Sequence, residues 1–200
     1  MFNRSEVEIH IAARADSFAE AENTAGELAN KLATALGKAV FAMNGETMEE
    51  VVGMRLKERS ETLAVAESCT GGLIGRRLTD VAGSSAYFME GAITYSNAAK
   101  MRTLGVSEEI FTTYGAVSSE CAEAMAAGMR KYAGTDHAIS VTGIAGPDGG
   151  TAEKPVGTVF IGYAGSGGVK SLKIVLPGDR YLIRWRASQA ALDYLRRQLK

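Results

Sequence analysis

The chain has 200 residues, 46% of them hydrophobic and 22% charged, a composition able to bury a sizeable core, which excludes disorder, fibrous repeats and three separate domains. With 22 Lys plus Arg against 23 Asp plus Glu the net charge is -1, so no global positive field exists to hold duplex nucleic acid. The longest uncharged apolar-leaning stretch, Pro155 to Val169, is too short for a membrane span and no apolar run follows the charged start; Cys69 and Cys121 make neither a disulfide framework nor a CxxC, so a cytoplasmic, reduced chain without zinc is expected.

In chain order, Val7, Ile9 and Ile11 alternate with polar residues and predict a half-buried strand. Ser17 with Glu20 reads as a capping box opening a helix whose apolar residues run from Phe18 to Ala35, stopped by Gly37. Ala39 to Met43 predicts another strand, Asn44-Gly45 a turn, and Thr47 with Glu50 a second capped helix toward Arg59. A β-α-β unit of about 40 residues is too small to bury a core of its own. Residues 1 to 60 carry 7 basic residues, 10 acidic residues and 4 glycines; residues 61 to 200 carry 15, 13 and 19, so composition alone places a boundary near Arg59 to Thr62.

Beyond it, strand and helix patterns alternate. Strands are expected at Thr62 to Ala66, Gly91 to Tyr95 and Ala138 to Val141, and helices at Gly72 to Val81, Ala98 to Leu104 with Asn97 as cap, and Ser119 to Tyr132 behind Ser118. Thr158 to Ala164 and Val169 to Leu176, joined across Gly165-Ser166-Gly167-Gly168, predict an antiparallel hairpin. A last helix capped by Asp179 places Tyr181, Trp185, Ser188, Leu192, Leu195 and Leu199 on one face. The expectation is an α/β fold of three layers, α/β/α, around a mixed sheet.

Four segments carry chemistry. In TLAVAESCTGG, Thr62 to Gly72, a strand runs into Ser68, Cys69 and Thr70, three nucleophile candidates, and then two glycines opening a helix whose free N–H groups suit an oxyanion or a phosphate. An ordinary N-cap followed by packing glycines explains the same letters. A serine nucleophile requires a base. His10 and His137 are the only histidines and both sit on strands, so a Ser-His-Asp triad is disfavoured; Lys100, in the first helical turn of GAITYSNAAK, is the remaining base, with Tyr95 placed to relay or orient. Burial and a helix N-terminus both disfavour an ammonium. The long loop in SVTGIAGPDGGTAEKPVGTV, Ser140 to Val159, offers Thr142, Gly143, Gly146, Gly149 and Gly150 for close backbone approach and Lys154 for an anion. Arg180, Arg184 and Arg186 surround the last helix start. Neither GxxxxGK[ST] nor GxGxxG occurs, so no nucleotide cofactor is expected.

Taken together, LAVAESCTGG, GAITYSNAAK and VTGIAGPDGGTAEKPVGTV, with VAGSSAYF and YGAVS between them, resemble the C-terminal domain of the competence/damage-inducible CinA family, which is also found as a free-standing nicotinamide-nucleotide amidase. The resemblance covers residues 47 to 198 and implies two units: 1 to 46, similar to part of a KH-like domain, and 47 to 200, amidase-like. It implies metal-free hydrolysis of the carboxamide of nicotinamide mononucleotide, with Ser68 as nucleophile, Lys100 as base, and Tyr95 and Thr142 as helpers. The substrate-contacting set it implies is Glu67, Thr70, Gly71, Gly72, Gly143, Gly146, Asp148, Arg180 and Arg184, with amides near Thr70 to Gly72 holding the oxyanion. The expected partner is a small nucleotide, with no nucleic acid or membrane, and a homo-oligomer is expected, for which the Met-bearing Ser119 to Tyr132 helix is the candidate surface. A non-catalytic nucleotide-binding domain built on the same loops is the alternative.

Overall fold

The computed structural model describes residues 2–3 and 6–199. Two short strands, β1 (Phe2–Asn3) and β2 (Glu6–Val7), pair antiparallel, and helix α1 (Phe18–Leu36) follows, capped by Ser17, whose Oγ accepts from Glu20 N at 3.3 Å. The strands expected at Val7 to Ile11 and Ala39 to Met43 do not form. After Val7 the chain is irregular, and α1 runs into a short 3-10 helix at Gly37–Ala39. No residue of α1 is buried, so no packed face holds flanking strands together, and the expected β-α-β pattern does not form among the described residues. Polar contacts tie this region to the rest: Gln189 donates to Glu6 at 2.7 Å and Arg196 to the Lys38 carbonyl at 2.7 Å, while Phe41 packs on the main core.

Helix α2 (Met48–Arg59) opens on the expected box, with Glu50 N donating to Thr47 Oγ1 and Thr47 N to Glu50 Oε2. Then come β3 (Leu63–Glu67), α3 (Leu73–Thr79), β4 (Phe88–Ile93), α4 (Asn97–Leu104), α5 (Glu108–Thr113), α6 (Ser119–Ala133), β5 (His137–Gly143), β6 (Thr158–Gly165), β7 (Gly168–Val175) and α7 (Arg180–Gln198). α4 is capped by Ser96, not Asn97, because Ala99 N donates to Ser96 Oγ at 3.1 Å. α5 escapes sequence reading: two turns carry too few apolar positions to show a period.

The sheet order is β4-β3-β5-β6-β7, with β4, β3 and β5 parallel and β6 and β7 antiparallel. Side-chain alternation divides two cores. Leu63 and Val65 face α2, α3 and α7, whereas Ala64 and Ala66 face Leu104 of α4 and Cys121, Met125 and Met129 of α6. Met125 and Met129 are fully buried there, each contributing about 2 kcal/mol, so the face proposed for oligomer contact is occupied internally. On α7 the buried face runs through Ile183, Ala187, Ser188, Ala191, Leu192 and Leu195; Tyr181, expected on it, is 60% exposed. Among the described residues, no helix is long and apolar enough to cross a membrane.

The connections between strands open a crevice at one end of the sheet. From β3 the chain crosses through α3 to β4 on one side, and from β4 through α4 to α6 to β5 on the other side of β3. The C-terminal end of β3 is therefore a topological switch point, where neighbouring connections diverge and leave a gap between them.

Candidate active site

At that crevice the turn after β3 is fixed from several directions. Gly71 and Gly72 have φ of +60° and +91°, which only glycine adopts without strain. Ser68 N donates to the Val141 carbonyl at 3.0 Å and Gly71 N to the Ser68 carbonyl at 3.1 Å. Glu67 is 2% exposed, and its carboxylate accepts from Gly72 N (3.0 Å), Ile74 N (3.2 Å) and Gly75 N (2.8 Å), the otherwise free amides at the start of α3. From α7, Arg184 Nε donates to the Cys69 carbonyl at 3.1 Å and Nη2 to the Thr70 carbonyl at 2.6 Å.

These contacts revise the expected substrate set. Glu67 is committed to α3 and the Gly71 and Gly72 amides to internal acceptors, while Arg184 spends two of its five N–H groups on the turn and lies outside the pocket lining. Replacing Glu67 with glutamine, which sets an NH2 donor among amide donors and removes the charge, is expected to lower stability by about 2–3 kcal/mol in denaturant unfolding, and to slow any reaction at Ser68. A midpoint equal to that of the wild type would show that the carboxylate does not hold the turn.

Opposite Glu67, Ser68 is 8% exposed, and beside it lies the amine of Lys100, only 1% exposed. Lys100 Nζ lies 3.1 Å from Ser68 Oγ, 2.8 Å from the Thr94 carbonyl and 3.0 Å from the Tyr95 carbonyl. Burial holds this lysine below its ordinary range, against a smaller opposing pull from the Cys121 and Cys69 sulfurs. As an ammonium the group donates to all three oxygens; once deprotonated, its two N–H bonds suffice for the carbonyls and its lone pair is free to accept from the Ser68 O–H. Burial also pushes the Cys69 thiol up to about 12, so it holds its proton. Thr70 is fully buried and outside the pocket, its hydroxyl without a partner among the described residues. Of the three nucleophile candidates, Ser68 is the one hydrogen-bonded to a base at the pocket; Cys69 also lines the pocket but holds its proton, and Thr70 lies outside it.

The pocket is about 230 Å³. Ser68, Cys69, Lys100, Tyr95, Thr142, Gly143 and Arg180 line it, together with Asn97, Ala116, Val117 and Ala145, which sequence reasoning missed. Asn97 was legible only as a cap, and small apolar residues carry no chemical signature; the YGAVS segment offered the one available signal. Tyr95 contributes its carbonyl to Lys100, while its ring is 61% exposed and its hydroxyl accepts from Arg180 Nη2 at 3.4 Å. Arg180 Nη1 donates to the Gly146 carbonyl at 2.7 Å. Gly146 and Gly143 are needed for packing, since a Cβ would lie 2.6 Å from Val156 Cγ1 at the first and 2.8 Å from the Thr158 carbonyl at the second. Asp148 is exposed on the loop outside the pocket. Lys154, expected to bind an anion, donates to the Tyr114 (2.9 Å) and Val117 (2.8 Å) carbonyls, and Arg186 bonds the Pro177 carbonyl.

His137 sits at the far end of β5, between Glu61 Oε2 (3.0 Å) and the Tyr163 hydroxyl (2.9 Å), and His10 is exposed beside Glu8. Neither reaches Ser68. Among the described residues, no group of three or more His, Cys, Asp or Glu is placed to hold a metal ion.

Residues 45–199 match the family described as the CinA C-terminal domain. A CinA-like protein of Geotalea daltonii is 49% identical over 98% of this chain and 48% of its own length, and one of Kosmotoga olearia is 46% identical over 97% and 47%. The chain thus spans about half the length of the curated relatives it matches. Among solved structures, a CinA superfamily protein from Klebsiella pneumoniae superposes with a TM-score of 0.73 at 32% identity, over 77% of this chain and 98% of that one. The competence/damage inducible protein CihA from Agrobacterium tumefaciens gives 0.70 at 40% identity, over 75% and 94%. With its switch-point pocket, its α/β fold and these relatives in agreement, the chain belongs to the CinA C-terminal domain family.

Proposed function

We propose that this pocket hydrolyses the carboxamide of nicotinamide mononucleotide to nicotinic acid mononucleotide and ammonia. One observation carries the reading above all: a buried lysine amine, held by two carbonyls, stands 3.1 Å from a serine hydroxyl at the edge of a pocket. Lys100 Nζ takes the Ser68 proton as Oγ bonds to the carboxamide carbon. The amide of Cys69, a residue that lines the pocket, donates to no other residue among those described and is the donor left for the oxyanion. As the C–N bond breaks, the Lys100 ammonium returns the proton to nitrogen and ammonia leaves. Water then attacks the Ser68 ester, giving one proton to Lys100 and from there to Ser68, and the acid departs as a carboxylate after releasing its remaining proton to solvent.

A pocket of about 230 Å³ is smaller than most whole-ligand sites, so it encloses the reacting head group and leaves the ribose phosphate toward the rim. There Arg180 is the arginine with a place in the pocket lining, whereas Arg184 lies outside it. Ammonia release from nicotinamide mononucleotide, followed for the wild type and for Ser68→Ala, tests the reading. Equal release from the two proteins, with the nucleotide still bound, would favour the non-catalytic binding module.

A further inference from the structure

Resting on that amidase reading, we propose that Thr142 makes the pocket selective for a carboxamide over a carboxylate, because its hydroxyl oxygen is locked as an acceptor.

Thr142 is 1% exposed and borders the pocket. Its Oγ1 lies 2.7 Å from the Ala116 carbonyl oxygen. A carbonyl has no proton to give, so the single hydroxyl proton of Thr142 points to Ala116 and only lone pairs remain for a ligand. The acceptor is itself held in place. Lys154 Nζ grips the Tyr114 and Val117 carbonyls on either side of Ala116, and Ser118 Oγ donates to the Gly115 carbonyl at 2.8 Å. The hydroxyl therefore cannot rotate toward a ligand without giving up its bond to the half-buried Ala116 carbonyl.

Register places this acceptor beside the nucleophile. The last parallel pair between β3 and β5 is Glu67 with Val141, and Ser68 N donates to the Val141 carbonyl, so Ser68 and Thr142 are neighbours one step further on. By alternation both share the face of Ala66 and Ser140. Adjacent strands lie roughly 4.8 Å apart. A carboxamide spans such a gap with its carbon about 3–3.5 Å from Ser68 Oγ and its NH2 in hydrogen-bond reach of Thr142. An amide nitrogen donates there, whereas a carboxylate sets oxygen lone pairs against oxygen lone pairs. The same contact that seats the substrate therefore expels the product.

The test is equilibrium binding by calorimetry, with Ser68→Ala as the background so that nothing turns over. Nicotinamide mononucleotide should bind at least about tenfold more tightly than nicotinic acid mononucleotide. Adding Thr142→Val, which keeps the shape and removes the acceptor, should bring the ratio of affinities toward one; adding Thr142→Ser should preserve it. Thr142→Ala replaces the valine variant if that does not fold. A purely structural role would weaken both nucleotides alike. Equal binding of the two nucleotides by Ser68→Ala, or an unchanged ratio in Ser68→Ala/Thr142→Val, overturns the proposal. The expected ratios without ammonia release by the wild type would overturn the amidase reading alone, and failure of both nucleotides to bind would overturn both.

Discussion

Replacing Ser68 with alanine is expected to lower ammonia release from nicotinamide mononucleotide by about 10³-fold or more while nucleotide binding changes only a few fold. The hydroxyl forms the bond that splits one difficult step into two, so its loss removes the pathway and not merely a contact. Lys100→Met should cost a comparable factor, because among the described residues no other base is hydrogen-bonded to Ser68: His137 is held at the opposite end of β5. If the two single variants and the double variant lose similar factors, the pair acts as a unit; losses that multiply would argue against a shared step. The pH dependence follows from the direction of the Lys100 shift. Only the neutral amine accepts the Ser68 proton, so the rate should rise as pH increases through the depressed value of Lys100 and level off above it.

Stability carries the same signature. Between the depressed folded value and the ordinary lysine value of about 10.5, the unfolded chain holds a proton that the folded chain has released, so stability rises with pH across that window. Below the folded value the buried site must carry the charge, and this contribution is lost. Lys100→Met should flatten that slope in unfolding experiments at a series of pH values. A wild-type rate independent of pH throughout the stable range would exclude Lys100 as the base.

Gly128→Ala should damage both fold and chemistry from outside the pocket. An added Cβ at Gly128, in the middle of α6, would lie 2.0 Å from the Leu104 carbonyl oxygen and 2.8 Å from its carbon, at the end of α4. The contact is backbone, so no side chain can swing aside and α4 must move away by more than 1 Å. The expected cost is about 3 kcal/mol in denaturant unfolding, toward the upper end for overpacking. Lys100 sits one turn before Leu104 on the same helix, so the amine moves relative to Ser68; an error of about 1 Å in a reacting pair costs on the order of 10²-fold in rate. Wild-type stability together with wild-type rate in this variant would mean that α4 is not positioned by α6.

The elements that sequence reading places well are those specified locally. Thr47, Ser118 and Asp179 cap their helices because each cap closes a hydrogen bond to a residue three positions on, and β3, β5 and β6 are recognisable as apolar runs bounded by turn residues. The first 46 residues mislead by the same logic. Alternation at Val7 to Ile11 is a property of side chains, but a strand requires a neighbour to receive its hydrogen bonds, and beyond the two pairs with Phe2 and Asn3 none is found among the described residues. Tyr181 falls at a helical spacing from Trp185 yet is 60% exposed in the first turn of α7.

For the site, residue chemistry named the candidates: Ser68, Cys69 and Thr70 at a strand end, a lysine in a first helical turn, and no histidine suited to the task. What faces what was decided by the tertiary structure. Ser68 and Lys100 are 32 residues apart and meet because β3 lies between β4 and β5; Thr142 and Ala116 are 26 apart and meet because the α5 to α6 connection crosses the end of β5. Glu67 and Ser68 are adjacent in sequence, yet the strand's two-residue alternation sends one carboxylate into α3 and one hydroxyl into the pocket. Periodicity and capping act over a few residues, whereas strand order and burial, which bring these groups together and hold Lys100 below its ordinary range, come from packing the whole chain at once.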